Sequence, residues 1–273
     1  MLSSNPIFPV VVGVLNATPD SFSDGGLHLD PRAAAGHAAA MVAEGAGWID
    51  VGGESTRPGS EPIPEAEQIR RVVPVIRAVR AVTGVPISID TTRGAVADAA
   101  IDAGATIVND ISAGRDDPGI FSVVARRRVS IVLMHMRGTP KTMQDDPVYG
   151  DVVAEVGQFL GERLRVAVGA GIDAGSVWFD PGIGFGKTAG HNLQLLRRLP
   201  ELVAAGRPVM VGTSRKGFIG KITGEDLAGG RKMGTAATLA WAVAHGAAAV
   251  RVHDVAEMSA VVRMVRAIAE SGR

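Results

Sequence analysis

Val177-Trp178-Phe179-Asp180-Pro181-Gly182 is an apolar run that breaks off on a carboxylate and a turn. A strand buried on both faces of a parallel sheet reads as such a continuous run, and a polar group at its C-terminal end points to where α/β folds do their chemistry. The same design recurs in Ile87-Ser88-Ile89-Asp90, in Ile107-Val108-Asn109-Asp110 and in Val209-Met210-Val211-Gly212-Thr213-Ser214-Arg215-Lys216. Working outward, strand-like runs lie near residues 10–15, 48–51, 86–89, 106–108, 130–134, 177–179, 208–212 and 249–252. Stretches of helical period such as Ala33–Glu44, Ile63–Val82 and Val152–Ala170 separate them. Eight alternations in 273 residues predict an α/β fold, one (β/α)8 TIM barrel domain over residues 1–273, because that architecture needs about 250 residues. The competing doubly wound sheet is disfavoured: no early Gly-x-Gly-x-x-Gly opens a helix, and the polar strand ends are spread around the set.

Composition narrows the function. The 28 basic and 28 acidic residues cancel, so no whole-molecule field draws the chain to nucleic acid or to an anionic membrane. Aromatics at 4% argue against a base-stacking platform. Cysteine is absent, which excludes a disulfide framework and thiolate zinc and suits a reducing cytoplasm. The N-terminal residues run into Val10–Leu15 without the basic, apolar pattern of a signal peptide, so export is not expected. The uncharged window from Gly234 to Val250 reads as a helix followed by a strand, not as a membrane span.

Two connections exceed plain turns, Ala17 to Pro31 after the first strand and Gly52 to Pro64 after the second, and both read as mobile working loops at the barrel mouth. Around them, Asp90, Asn109 and Asp180 end the third, fourth and sixth strands. Each alone could cap the next helix. Together, two acceptor-only carboxylates and one carboxamide match the edge of a flat heterocycle such as an amino-pyrimidinone. Metal ligation by these carboxylates lacks a His at ligand spacing. Ser214-Arg215-Lys216 and Arg251-Val252-His253 place cations after the last two strands, where barrels commonly hold phosphate, and Arg251 and His253 share a strand face. Arg57 adds a fork for a diphosphate, and Asn16 offers a carboxamide oxygen to Mg²⁺. His135 reads equally as a core histidine and as a ligand contact.

The ordered set of segments resembles the dihydropteroate synthase family of pterin-binding enzymes. The likeness rests on Asn16–Gly25, Asp50–Gly59, Ser88–Asp90, Asn109-Asp110, Met134-His135 through Met143-Gln144, Phe179–Lys187, Gly212–Lys216 and Arg251–His253. It implies condensation of (7,8-dihydropterin-6-yl)methyl diphosphate with 4-aminobenzoate to 7,8-dihydropteroate and diphosphate, on a barrel that usually dimerises and that sulfonamides target. Carried over by motif, the pterin meets Asp90, Asn109, Met134, Asp180 and Lys216. The diphosphate meets Asn16 with Mg²⁺, Arg57, Arg251 and His253. Aminobenzoate lies near Phe22, Thr56, Pro58, Phe185, Ser214 and Lys216. Asp90, Asp180, Lys216, Arg57 and Asp24 form the implied catalytic set.

No general base stands out in that set, which suits carbon–oxygen cleavage before amine attack, with water shut out by the two loops. Two alternatives share the pterin grip. One is a catalytically silent pterin-binding paralogue. The other is a methyltetrahydrofolate:corrinoid methyltransferase, which has no use for Ser214-Arg215-Lys216, Arg251-x-His253 or Thr56-Arg57-Pro58. One departure from the family pattern is Ala113, where glycine is expected; another is the short, Gly-rich Thr223–Lys232. The last helix, Val255–Ala269, carries an apolar stripe of Val255, Met258, Val262, Val265, Ile268 and Ala269 that reads as barrel packing.

Overall fold

The structure, a computed structural model, describes residues 9–17, 30–55, 60, 61 and 63–271. Phe22, Asp24, Thr56, Arg57 and Pro58 lie outside the described residues, and most of the two long connections lies there too. The strands are β1 (Val10–Asn16), β2 (Trp48–Gly52), β3 (Ile87–Asp90), β4 (Ile107–Asp110), β5 (Ser130–Met134), β6 (Val177–Asp180), β7 (Met210–Val211) and β8 (Ala249–Val252). Between and after them run α1 (Pro31–Ala43), α2 (Glu65–Val82), α3 (Gly94–Asp102), α4 (Gly119–Arg127), α5 (Val152–Gly169), α6 (Ala189–Arg197), α7 (Leu199–Val203), α8 (Gly217–Thr223), α9 (Lys232–Ala244) and α10 (Val255–Glu270).

All strand pairs are parallel, in the order β6-β5-β4-β3-β2-β1-β8-β7. The gap between β6 and β7 closes through a bridge from Phe179 to Val209 and through the Phe179 amide, which donates to the Pro208 carbonyl at 2.9 Å. The seventh strand is therefore shorter than the expected 208–212. Proline has no N–H to give a ladder, so Pro208 contributes only its carbonyl.

Strand periodicity splits the core in two. One face of each strand meets the helices through Ile49, Val51, Ile87, Ile89, Val108, Ile131 and Leu133. The other face fills the barrel with a separate layer of Val12, Trp48, Ile107, Val132, Trp178, Met210 and Ala249. Trp48 and Trp178 meet edge-on there, with ring centres 5.7 Å apart. The bore is plugged, so ligands have access only above this layer. Helix starts follow local chemistry: Asp30 caps α1 ahead of Pro31, and Asp151 caps α5 by accepting from the amides of Val153 and Ala154. The apolar stripe of α10 is buried at Val255, Met258 and Val262 but ends there. Ile268 is 66% exposed, so its expected role in barrel packing does not hold.

Asp110 has the outward parity of Val108 and is fully buried beneath the helices. Its carboxylate accepts from the Ser112 amide at 2.7 Å, the Ser112 hydroxyl at 2.8 Å and the Gly114 amide at 2.6 Å. The turn it organises puts Ala113 at φ 53°, the left-handed region, which is the physical reason a glycine suits that position. Asp110→Ala leaves two buried amides unpaired and is expected to cost about 2–4 kcal/mol, read as a lower urea midpoint with an unchanged slope.

Candidate active site

Above the apolar plug the inward-facing positions turn polar. Asp50 and Ser88 are register partners, two residues beyond Trp48 and Pro86 along their strands. One level higher, Asn16 pairs with Gly52, Gly52 with Asp90, and Asp90 with Asn109, so three predicted site residues share a hydrogen-bonded row. Across the mouth, Met134 is the register partner of Asp180. Met134, buried, packs with Ile111, Met136, Met143 and the half-buried Phe185 into an apolar wall beside these polar groups.

Two cations face the carboxylates. Arg251 is rooted at the level of the plug, as partner of Val12, and its side chain reaches up to Asp50 (Nε, 2.6 Å) and Asp90 (Nη2, 3.0 Å). Burial lowers its pKa, but Asp50 and Asp90 outweigh this, so the guanidinium is held above its usual range. Lys216 donates to the Ile183 carbonyl, and its Nζ stands 4.1 Å from the centre of the Phe185 ring. Burial pulls its pKa down to about 7 against the opposing pull of Asp180 and Asp90. Asp90 is pushed up to about 7, chiefly by burial and despite Arg251. Asp180 is also raised by burial, offset by the Gly182 amide donating to it at 2.7 Å and by Lys216. Burial thus opposes ionisation of both carboxylates and protonation of the lysine, the kind of perturbation that clusters at functional sites.

On the β7–β8 side, the Ser214 hydroxyl lies 3.0 Å from His253 Nδ1 and accepts from the His253 amide at 3.2 Å. The residue expected near the arylamine and the one expected near the diphosphate are thus bonded to each other. Arg215 departs from the sequence expectation. At φ 60° it turns out of the mouth and pairs with Asp254 (Nη2, 2.6 Å; Nε, 3.0 Å), latching the β7 loop to the end of β8. Of the expected triplet, the cation aimed at the mouth is Lys216.

His135 is a core histidine, buried with its ring edge-on to Phe159 at 4.9 Å. Lys187 belongs to a motif segment, yet the sequence assigns it no role. Its buried Nζ donates to the carbonyls of Gly182 (3.0 Å) and Phe185 (2.9 Å) and to His135 Nδ1 (2.9 Å). With Lys187 as an ammonium, which only donates, the His135 proton sits on Nε2; with a neutral amine the two nitrogens can exchange roles. Burial, then Lys187 and Arg115, hold His135 down at about 2. Burial also lowers Lys187 well below a free lysine. This staple fixes the loop that carries Phe185. Gly182, at φ 65°, is required in the same loop because a Cβ there would overlap the His135 carbonyl. Asp50 likewise goes unassigned in the sequence, although Trp48-x-Asp50 obeys the same i, i+2 rule that places Arg251 and His253 inside.

A plugged parallel barrel whose mouth combines strand-end carboxylates, a carboxamide, two cations and an apolar wall is built to hold a polar, flat heterocycle. The chain belongs to the family of pterin binding enzymes, whose model matches residues 12–253. It is 49% identical to the dihydropteroate synthase of Mycobacterium leprae over 268 residues, 96% of this chain and 94% of that protein. It also superposes on Xanthomonas albilineans dihydropteroate synthase with 4-aminobenzoic acid at a TM-score of 0.90 and 46% identity, covering 96% of this chain and 93% of that one. The same enzyme in complex with 7,8-dihydropteroate gives a TM-score of 0.86 and 44% identity, with 96% and 94% covered. Among the described residues no helix is long and apolar enough to cross a membrane.

The site carries a pH signature in stability. Burial, then Arg251 and Arg215, lower His253 to about 4 from an ordinary 6.5. Between those values the unfolded chain binds a proton that the folded chain refuses, so this group removes stability as pH falls from 6.5 through 4. Relative to the parent, His253→Gln is expected to gain stability over that window, by at most about 1.4 kcal/mol per pH unit. Urea unfolding of both proteins at pH 7, 6, 5 and 4 measures it.

Proposed function

We propose that this chain is a dihydropteroate synthase, condensing (7,8-dihydropterin-6-yl)methyl diphosphate with 4-aminobenzoate to 7,8-dihydropteroate and diphosphate. The observation that carries this reading is the convergence of Asp90, Asn109 and Asp180 with Lys216 and Arg251 beside the Met134–Phe185 wall. The relatives named above and the ligands in the X. albilineans structures support it. Asp90, Asn109 and Asp180 accept from and orient the ring's amino and N–H edge, while Met134 packs on its face and Lys216 lies between ring and arylamine. Arg251, His253 and Arg57 receive the diphosphate, and Phe22, Thr56, Pro58, Phe185 and Ser214 surround 4-aminobenzoate. Sulfonamides, which present the same aniline, compete for that place.

The carbon–oxygen bond to the diphosphate breaks first, leaving a cation at the pterin methylene that the aniline nitrogen attacks with loss of a proton. Asp90 and Asp180 favour the positive charge as it spreads over the ring, and Arg251 and Lys216 favour the departing anion. Asp24 and Arg57 belong to the loops that exclude water from the cation. For Mg²⁺, the donor chemistry fits a loosely held ion. Among the described residues no three His or acidic side chains cluster, and the β1 end offers the neutral carboxamide of Asn16. Asn16 would hold such a hard, largely hydrated cation, which would supply positive charge to neutralise the leaving diphosphate. The reaction is placed in a reducing cytoplasm, to which a chain without cysteine is suited. A homodimer is part of the same reading. The mutually packed α6, α8 and α9 expose Leu193 (47%), Ile222 (55%), Met233 (82%) and Trp241 (47%), apolar area that a second copy can cover.

The purified protein, given both substrates and Mg²⁺, is expected to release diphosphate only when both are present. Lys216→Met and Asp180→Asn are each expected to cut kcat/KM by about a hundredfold or more. Pterin binding without diphosphate release from the parent protein contradicts the proposal and leaves a silent pterin binder.

A further inference from the structure

Asp50 stands on β2, 1% exposed, one level below the row that carries Asp90 and Asn109. It is too deep to touch a ligand at the mouth. Its carboxylate nevertheless gathers three donors: the Ser88 hydroxyl, Asn109 Nδ2 at 3.2 Å and Arg251 Nε at 2.6 Å. Ser88 in turn accepts from the indole N–H of Trp48 at 2.7 Å, which ties Asp50 to the apolar plug.

Two consequences follow from the chemistry of a carboxylate. It only accepts, so Asn109 must turn its NH₂ toward Asp50 and its carbonyl oxygen away from it, and an amide flip is ruled out. The second concerns charge. Arg251 shares Asp90 with whatever occupies the mouth, and a buried guanidinium stripped of its carboxylate is heavily penalised. Asp50 keeps a counter-charge on the Nε side of Arg251 while Asp90 is engaged elsewhere.

We propose that Asp50 is a positioning residue for the pterin diphosphate half of the reaction: it sets the amide orientation of Asn109 and anchors Arg251 so that both present their free groups to the same ligand. This rests on the reading of the site given above. Asp50→Asn keeps the shape and removes the charge. It is expected to weaken binding of the pterin diphosphate, titrated calorimetrically without aminobenzoate, by about ten- to a hundredfold. The KM for 4-aminobenzoate should stay within about twofold.

The charged groups facing Asp90 are Arg251 from β8, Asp50 from β2, Asp110 from β4, Glu54 after β2 and Lys216 after β7. Loss of the Asp50 charge removes a repulsive neighbour of Asp90 and leaves Asp90 as the one carboxylate hydrogen-bonded to Arg251. The acid limb of kcat/KM for the pterin substrate therefore moves to lower pH. A purely structural role lowers the thermal midpoint without splitting the two substrates or moving that limb.

Unchanged pterin diphosphate affinity in Asp50→Asn overturns the proposal, as does equal damage to both substrates with the limb in place. If Asp50→Asn does not fold, Ser88→Ala decides, since it loosens Asp50 without touching Arg251 or Asn109. About threefold weaker pterin diphosphate binding, with the 4-aminobenzoate KM unchanged, supports the proposal, and no change defeats it. Failure of the site reading looks different: the parent protein then binds no pterin diphosphate, and both claims fall together.

Discussion

A strand inside a closed parallel barrel can place a side chain on only two sides, and everything at this mouth depends on that constraint. Residues of one parity join the helices, and residues of the other fill the bore. Trp48 and Asp50 are neighbours in the same file, as are Ile107 and Asn109, Trp178 and Asp180, and Val132 and Met134. The change from apolar to polar along each file therefore creates a floor and a chamber from the same strands. Asp110 illustrates the other parity. A carboxylate adjacent to a site residue becomes, by one step along the chain, a structural acceptor under the helices.

Within the chamber, loss of hydration is the largest penalty on the charged groups, and their arrangement limits it. Arg251 is rooted at the floor and draws two carboxylates to its guanidinium, so no member of the group is buried without a partner. The compensation is incomplete for Asp90 and Lys216, both driven toward about 7 by burial. That leaves the site poised near neutrality. A ligand bringing a hydrogen-bond-donating ring edge and a separate anion would satisfy the acceptors on one side and the cations on the other.

Much of this is legible in the chain. The Val/Ile runs and the breaks at Asp90, Asn109 and Asp180 are local properties, and the strand registers pair Asp90 with Asn109 and Met134 with Asp180. Arg251 reads in the sequence as a free cation for an anion, whereas it is also the centre of an ion-pair cluster. Arg215 follows a strand and so is expected to face the mouth; a left-handed backbone at that residue turns it to Asp254. Composition and spacing carry no trace of such a turn. Lys187 looks like one more loop lysine, and its burial depends on carbonyls supplied by its own folded loop and on His135 from another strand.

Strand periodicity and apolar content act over a few residues, so the eight-strand alternation and the polar strand ends at Asp90, Asn109 and Asp180 can be read from the chain alone. The partners of those residues come from the closure of the barrel. Arg251 and Asp50 are 201 residues apart in the chain and meet only because β8 and β2 both flank β1. Which charge offsets which, and therefore which groups remain available to a ligand, is a property of barrel closure: it sets distances that no local pattern encodes.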